Sequence, residues 1–430
     1  MAKKETRNEI FVFADWVGIK NTPTLFGTLY SEIVRGKEIF SFEYSLEWLK
    51  SKFAQVIDPD LQQFSGPHYL NEKKTNFGIF LDSSPDRWGR VLMKRREAIR
   101  ARQENRQEKT LMESDFLLGV HDENRIGGLR FKEAVDGEFL NKDTTLAAPL
   151  LTSISELQEA SLRIEGDDDI SDSESLKWLN ILMAPGSSLG GARPKASIKD
   201  SDQLWIAKFP SVNDLKDIGG WEMVVHNLAV RCGLNVAEAR VEKFANHQYH
   251  TFLVKRFDRN KSQRIHFASA MTMLGYTDGT DSHAGASYLE IAEFLSNNGA
   301  KINEDLEELW KRIVFSISVS NTDDHLRNHG FILTETGWVL SPAFDINPNE
   351  MGTGLSLNIS DSDNSLEYDL ALEVAEHFRL KKDRAEKIII DIRSKVSEWK
   401  AISKKYGISR TEQTMMAKAF KICNSTIEMS

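Results

Sequence analysis

The chain has 430 residues, of which 40% are hydrophobic and 28% charged, with a formal net charge of −9. That balance excludes a whole-molecule polyanion binder, and no apolar run reaches the roughly 18 residues of a membrane span. Two cysteines, Cys232 and Cys423, exclude a disulfide-built secreted scaffold, and no Cys/His cluster has zinc-ligand spacing. The opening stretch "MAKKETRNEIFVFADW" has no long apolar segment, so no secretory signal is expected, and a cytoplasmic location is. The length suits two or three domains or one bilobal unit.

In chain order, "EIFVFADW" predicts a strand and "TLFGTLYSEIVRGKEIFSFEYS" a hairpin about Arg35-Gly36. "SLEWLKSKFAQV" predicts a helix. A longer one follows, with Ser84 as its cap and Pro85 at its first position. Residues 87–109 carry a dense Arg/Lys cluster, read first as a solvated mixed-charge helix and second as a nucleic-acid or partner contact. "ESDFLLGV" predicts a short helix, and "RIGGLRFKE" a glycine turn entering a strand.

"SISELQEASLRI" predicts a helix, with Ser153 and Glu156 at capping-box spacing, and "EGDDDISDSES" an exposed acidic connector. Then "LKWLNILMAPGSSLGGARPKASI" reads as helix, glycine-serine loop and strand. "QLWIAKFP" is a strand, "GGWEMVVHNLAVRCGL" a helix stopped by Gly233, and "NVAEARVEKF" and "YHTFLVKRFDR" two more strands. From residue 285 the pattern is mainly helical, broken by a strand pair across Thr336-Gly337, and two or three long helices close the chain. The expected fold class is α+β.

Four stretches carry chemistry. In "GSSLGGARPKA", residues 186–196, glycines and serines let backbone N–H groups turn inward as an anion nest, although the spacing is not that of a Walker A loop and a flexible linker has the same composition. Lys208 stands late in an apolar strand, where an ammonium needs an anionic partner such as Glu222 or a nucleotide phosphate, unless it snorkels to solvent. In "NTDDHLRN", Asp323 precedes Asn328 by five residues, the separation of the catalytic aspartate and metal-binding asparagine in protein kinases. Asp324 has only helix spacing to Asn328 and reads as a solvated residue. In "LSPAFDINP", Asp345 at a strand end suits a metal bridging phosphates, or a turn before Asn347-Pro348. Each signal alone is weak. Their order, from glycine loop through strand lysine, helix glutamate and Asp-to-Asn loop to Asp345, is the order of parts in a kinase, although the loop is not G-x-G-x-x-G.

Together "GSSLGGARPKA", "LVKRFDR", "NTDDHLRNHGF" and "SPAFDINP", with "GLNVAEARVEK" and the stretch from Asp82 to Arg90, resemble the HipA family of bacterial toxin kinases over nearly the full chain. The resemblance implies a bilobal kinase-like fold: a β-rich then helical N-terminal region over 1–148, an N-lobe portion over 149–258 and a helical C-lobe over 259–430. It implies a Ser/Thr protein kinase using ATP and Mg²⁺, the toxin of a type II toxin–antitoxin pair. A HipB-like helix-turn-helix antitoxin that binds operator DNA is the expected partner, and an aminoacyl-tRNA synthetase is the substrate of the best-known members.

Carried over by motif, Asp323 is the catalytic base, His325 supports its loop, and Asn328 and Asp345 hold Mg²⁺. Lys208 contacts the ATP phosphates within a site that includes Ser187, Ser188, Leu189, Gly190 and Gly191, and the backbone of Lys255 and Phe257 holds adenine. Ser188 resembles the autophosphorylated serine, with Ser187 the alternative because it too is a hydroxyl. A phosphate there adds about two negative charges and disfavours nucleotide binding. Two other readings stand beside this one: a non-catalytic scaffold or co-repressor acting with the antitoxin on operator DNA, and a kinase of small molecules.

Overall fold

The first hairpin reverses where the sequence places it. Arg35 and Gly36 both have positive φ, 51° and 79°. Two successive left-handed residues match the twist of the flanking strands, and glycine takes that conformation without strain. The computed structural model describes residues 7–19, 22–71, 73–143, 147–166, 176, 179–180, 182 and 193–424. The chain forms two compact units, Met1–Val212 with Lys255–Thr277, and Asn213–Val254 with Asp278–Ser430.

In the first unit, β1 (Asn8–Ala14), β2 (Thr24–Val34), β3 (Lys37–Tyr44), β4 (Pro67–Tyr69) and β5 (Leu129–Lys132) form an antiparallel sheet in the order β4-β3-β2-β1-β5. Alternation buries Phe40, Phe42 and Tyr44 on one face of β3. Phe26 on β2 meets Phe42, Tyr44 and Trp48 with ring centroids 5.3, 5.0 and 5.1 Å apart. The helix expected over "SLEWLKSKFAQV" spans only Leu46–Leu49. Its pattern offers no continuous buried stripe: Trp48 is fully buried, but Leu46 is 63% exposed.

The following long helix, α1 (Arg87–Gln103), starts two residues later than expected. Asp86, not Ser84, caps it by accepting from Gly89 N at 2.8 Å, while Ser84 Oγ donates to Phe80 O at 2.8 Å. Next come α2 (Glu113–Gly119), α3 (Ile154–Gly166) and the hairpin of β6 (Lys195–Asp200) and β7 (Gln203–Lys208). The glycine-serine loop over 186–192 lies outside the described residues, as do most of the acidic connector and of the helix expected before the loop.

The second unit holds α4 (Ile218–Arg231), ended by Gly233 at φ 76°, and the antiparallel pair β8 (Ala239–Glu242) and β9 (Thr251–Lys255). α5 (Tyr288–Asn298) begins with a capping box between Ser287 and Glu290. α6 (Ile302–Val319) is its central element: Leu306, Leu309, Trp310, Ile313, Val314 and Ile317 are each 0% exposed. β10 (Gly330–Thr334) and β11 (Gly337–Leu340) form the expected strand pair.

Among the described residues only one of the closing helices is long, α7 (Lys382–Val396). It is followed by α8 (Trp399–Lys405) and α9 (Arg410–Met416), separated by Gly407 at φ 70°. Trp399 stacks on Phe420 at 4.6 Å and lies 6.0 Å from Trp221 of α4. Cys232 and Cys423 are both buried and unbridged. Among the described residues no helix is long and apolar enough to cross a membrane. The mixture of helices with antiparallel sheets bears out the α+β class.

Candidate active site

The polar stretch after α6 is a loop folded by its own side chains. α6 ends at Ser320, a left-handed residue at φ 51°, and Asn321 N donates back to Ser316 O at 2.9 Å. Asn321 is 1% exposed and its Oδ1 accepts from Asn347 N at 3.0 Å. Thr322 Oγ1 accepts from Asn349 Nδ2 at 2.7 Å, and its main-chain oxygen accepts from Ser356 Oγ at 2.8 Å. The segment after Asp345 therefore wraps the residue before Asp323. A Cβ on Gly352 would stand 2.3 Å from Thr322 Oγ1 and Cγ2, so no side chain fits there.

The adjacent aspartates have opposite environments. Asp323 is exposed. Partial desolvation raises its pKa above the ordinary value; His325 opposes the shift, and the carboxylates of Asp345 and Asp324 add to it. Asp324 is 4% exposed, which corrects the reading of it as a solvated residue. Its Oδ2 accepts from Tyr288 Oη at 2.6 Å and Ser316 Oγ at 3.2 Å, and its Oδ1 lies 3.1 Å from His329 Nε2. Burial pushes this carboxyl up, but His329, Tyr288 and Ser316 outweigh burial and hold it below its usual range.

Asn328 closes the loop. Its backbone N–H donates to His325 O at 2.8 Å, and its Nδ2 donates to Asp323 O at 2.8 Å. With the amide so oriented, Asn328 Oδ1 is buried and meets no hydrogen-bond donor among the described residues. Asp345, half-buried at φ 58°, accepts from Asn347 Nδ2 at 3.1 Å. Asn347 Oδ1 is likewise buried without a donor among them. Two unsatisfied amide oxygens with the Asp345 carboxylate are hard oxygen donors, the chemistry that Mg²⁺ takes. Among the described residues no three His, Cys, Asp or Glu side chains gather into a metal cage, and Mg²⁺ does not need one, since it keeps waters and phosphate oxygens as ligands. The residues fit the ion.

In the first unit, Lys208 ends β7 half-buried, in register with Lys195 on β6. Lys195 is buried and its Nζ lies 2.9 Å from Asp86 Oδ2, the carboxylate that caps α1. Lys255 and Phe257 flank Arg256 in "LVKRFDR", and Arg256 N donates to Leu204 O at 2.9 Å. The charged residues of that motif are structural. Arg256 Nε and Nη2 donate to Asp258 at 2.8 and 2.7 Å, and Arg259 Nη1 donates to Asp258 Oδ2 at 2.6 Å. Both arginines also donate to main-chain oxygens between Glu123 and Gly127. Burial opposes the charge on Asp258, but Arg256 and Arg259 hold its carboxyl well below the ordinary range.

Glu222 is buried on α4. Ser187, Ser188, Leu189, Gly190 and Gly191 lie outside the described residues. Within the second unit the loop thus brings together Asp323, His325, Asn328 and Asp345. Sequence reasoning missed Asp324 as the loop's buried anchor and Asn347 as a second donor. The only signal for Asn347 was its position two residues after Asp345.

Residues 187–399 match the HipA-like C-terminal domain. A putative kinase of Haemophilus influenzae is 27% identical over 179 residues, covering 37% of this chain and 52% of that protein, so the match spans about half the relative's length. Over 96% of both chains the fold is similar to a chain of the Shewanella oneidensis MR-1 toxin–antitoxin complex of HipA, HipB and operator DNA, with a TM-score of 0.66 and 16% identity. At that identity the likeness speaks to fold alone. The domain match extends from the glycine-serine loop past Asp345, so residues 187–399 form a HipA-like C-terminal domain.

Proposed function

We propose that the chain is a Ser/Thr protein kinase that transfers the ATP γ-phosphoryl group to a protein hydroxyl and acts as the toxin of a type II toxin–antitoxin pair. The observation that carries the reading is the divided use of Asn328, whose Nδ2 is engaged by Asp323 O while its Oδ1 stays buried and open. Asp323 accepts the proton of the attacking hydroxyl, and its raised proton affinity suits a base. His325 steadies the loop through its N–H to Asp323 O at 3.0 Å.

Asn328 and Asp345 hold Mg²⁺, which when bound neutralises charge on the phosphate oxygens. Lys208 contacts the phosphates, Ser187, Ser188, Leu189, Gly190 and Gly191 belong to the same ATP site, and the backbone of Lys255 and Phe257 holds adenine. Autophosphorylation falls on Ser188, with Ser187 the alternative, and disfavours nucleotide binding by charge repulsion. The partner is a HipB-like helix-turn-helix antitoxin that brings the chain to operator DNA. The Shewanella complex supports this partner, and an aminoacyl-tRNA synthetase is the proposed substrate on the family resemblance alone.

The test is incubation with Mg·ATP followed by mass spectrometry of the chain itself, with ATP binding measured in parallel. Phosphate on Ser188 or Ser187, abolished by Asp323→Ala while ATP binding persists, is the expected result. Operator binding with an antitoxin but neither ATP binding nor phosphoryl transfer would overturn the kinase reading in favour of a scaffold.

A further inference from the structure

A cleft built wholly within the Asn213–Val254 and Asp278–Ser430 unit has no part in the chemistry above. It is an open surface cleft of about 500 Å³, lined by Met223, Ala239, Arg240, Val241, Lys243, His250, Lys405, Tyr406 and Gly407. Among the described residues its lining holds three permanent cations and a histidine and not one carboxylate, in a chain whose net charge is −9. Such a concentration of one sign in a concave site focuses potential on an anion.

The cations are not equally engaged. Arg240 Nε meets Glu242 Oε1 at 3.0 Å. Lys243 Nζ donates only to the main-chain oxygen of Gln248, at 2.7 Å, and Lys405 Nζ lies 5.6 Å from the Tyr406 ring centroid. Among the described residues neither lysine has a carboxylate at ion-pair distance. His250 is held by a buried carboxylate. Asp217, 4% exposed, accepts from His250 N at 2.9 Å and from the ring Nδ1, while also accepting from Gly220 N at 2.9 Å. Asp217 can only accept, so Nδ1 carries the proton and Nε2 is left for the cavity. Met223, Ala239 and Val241 add an apolar wall, and Tyr406 an aromatic one.

From this arrangement we infer that the cavity binds a small phosphate-bearing anion of nucleotide size. Its volume lies within the roughly 300–1,000 Å³ of small-molecule sites. Two ammonium groups without a carboxylate partner and a guanidinium supply the charge-assisted donors a phosphate takes, and the apolar and aromatic walls accommodate an organic body. Inorganic phosphate groups and nucleotides share this chemistry, so both are used as probes.

The test is calorimetric titration of the full chain with inorganic pyrophosphate and, separately, with AMP. The variants are Lys243→Ala/Lys405→Ala, Lys243→Arg/Lys405→Arg and, as a control for a nucleotide bound elsewhere, Lys208→Ala. Binding of either probe should weaken by about tenfold or more in the double alanine variant, a loss of about 1.4 kcal/mol or more. It should be largely retained in the double arginine variant, and the binding component that the double alanine variant weakens should persist in Lys208→Ala, whatever is lost there at the proposed ATP site. Tighter binding of AMP than of pyrophosphate identifies a nucleotide-like ligand, and equal binding identifies recognition of the phosphates alone. Equal affinity of wild type and the double alanine variant, or no binding of either probe to wild type, overturns the inference. So does loss in Lys208→Ala with retention in the double alanine variant, or binding of a phosphoserine peptide where neither small probe binds.

Discussion

Asn328 donates its side-chain N–H to the main-chain oxygen of Asp323 at 2.8 Å, and in doing so leaves its own Oδ1 buried and open. One amide therefore does two things that only an amide can do together. Asn328→Asp keeps an oxygen for a metal but loses the donor, and it sets a negative charge against Asp323 O. A misplaced base costs on the order of 100-fold. We expect phosphoryl transfer to fall by about that factor in single-turnover assays, and the thermal midpoint to drop as well, because the new carboxylate is buried without a donor. Near wild-type rates in this variant would remove Asn328 from the site.

Asp324 anchors the loop and should govern its acid stability. Its folded pKa lies below the ordinary 3.8, so its contribution is present above that value and is lost as pH falls through the lower folded pKa. Asp324→Asn should cost about 3 kcal/mol at neutral pH, because His329, Tyr288 and Ser316 lose their buried anion. It should also flatten the fall in stability below about pH 4. Urea unfolding at several pH values reads both effects, and an unchanged acid limb would contradict this assignment.

Gly352 has no room for a side chain, since its Cβ would stand 2.3 Å from Thr322. Gly352→Ala should push Thr322 and with it the Asp323 backbone. The expected outcome is a loss of transfer of at least about tenfold with ATP affinity retained, because displacement acts on position and not on charge. ATP titration beside a transfer assay separates the two, and joint loss of both would point to general unfolding.

Asp258 neutralises two buried arginines. Asp258→Asn leaves Arg256 and Arg259 buried with one charge partner fewer, at a cost of about 3–5 kcal/mol. The urea midpoint should fall with little change in slope. A shift of less than about 1 kcal/mol would mean that the main-chain oxygens around Asn124 and Arg125 suffice on their own.

Local rules were legible in the sequence. The turn at Arg35-Gly36 and the stop at Gly233 each follow from backbone preference and appear where expected. What failed depended on burial. "SLEWLKSKFAQV" has helical spacing, but Trp48 alone is carried into the core and the helix stops with it. Asp323 and Asp324 look alike in sequence, yet one is exposed and the other is enclosed by Tyr288 from α5, Ser316 from α6 and His329. Those partners lie up to 36 residues away, so no local pattern announces them. Asp258 reads in sequence only as part of "LVKRFDR", while its partner Gly127 N is 131 residues away.

The two cysteines give this molecule a built-in clock. Both belong to one unit, and burial pushes their thiols up, to about 12 for Cys232 and about 11 for Cys423. A disulfide reagent added to the native protein at neutral pH therefore meets no reactive thiolate until that unit opens. Since the chain has no other cysteine, the labelling rate times the opening of the unit that carries Asp323 and Asn328 alone, without a single engineered residue.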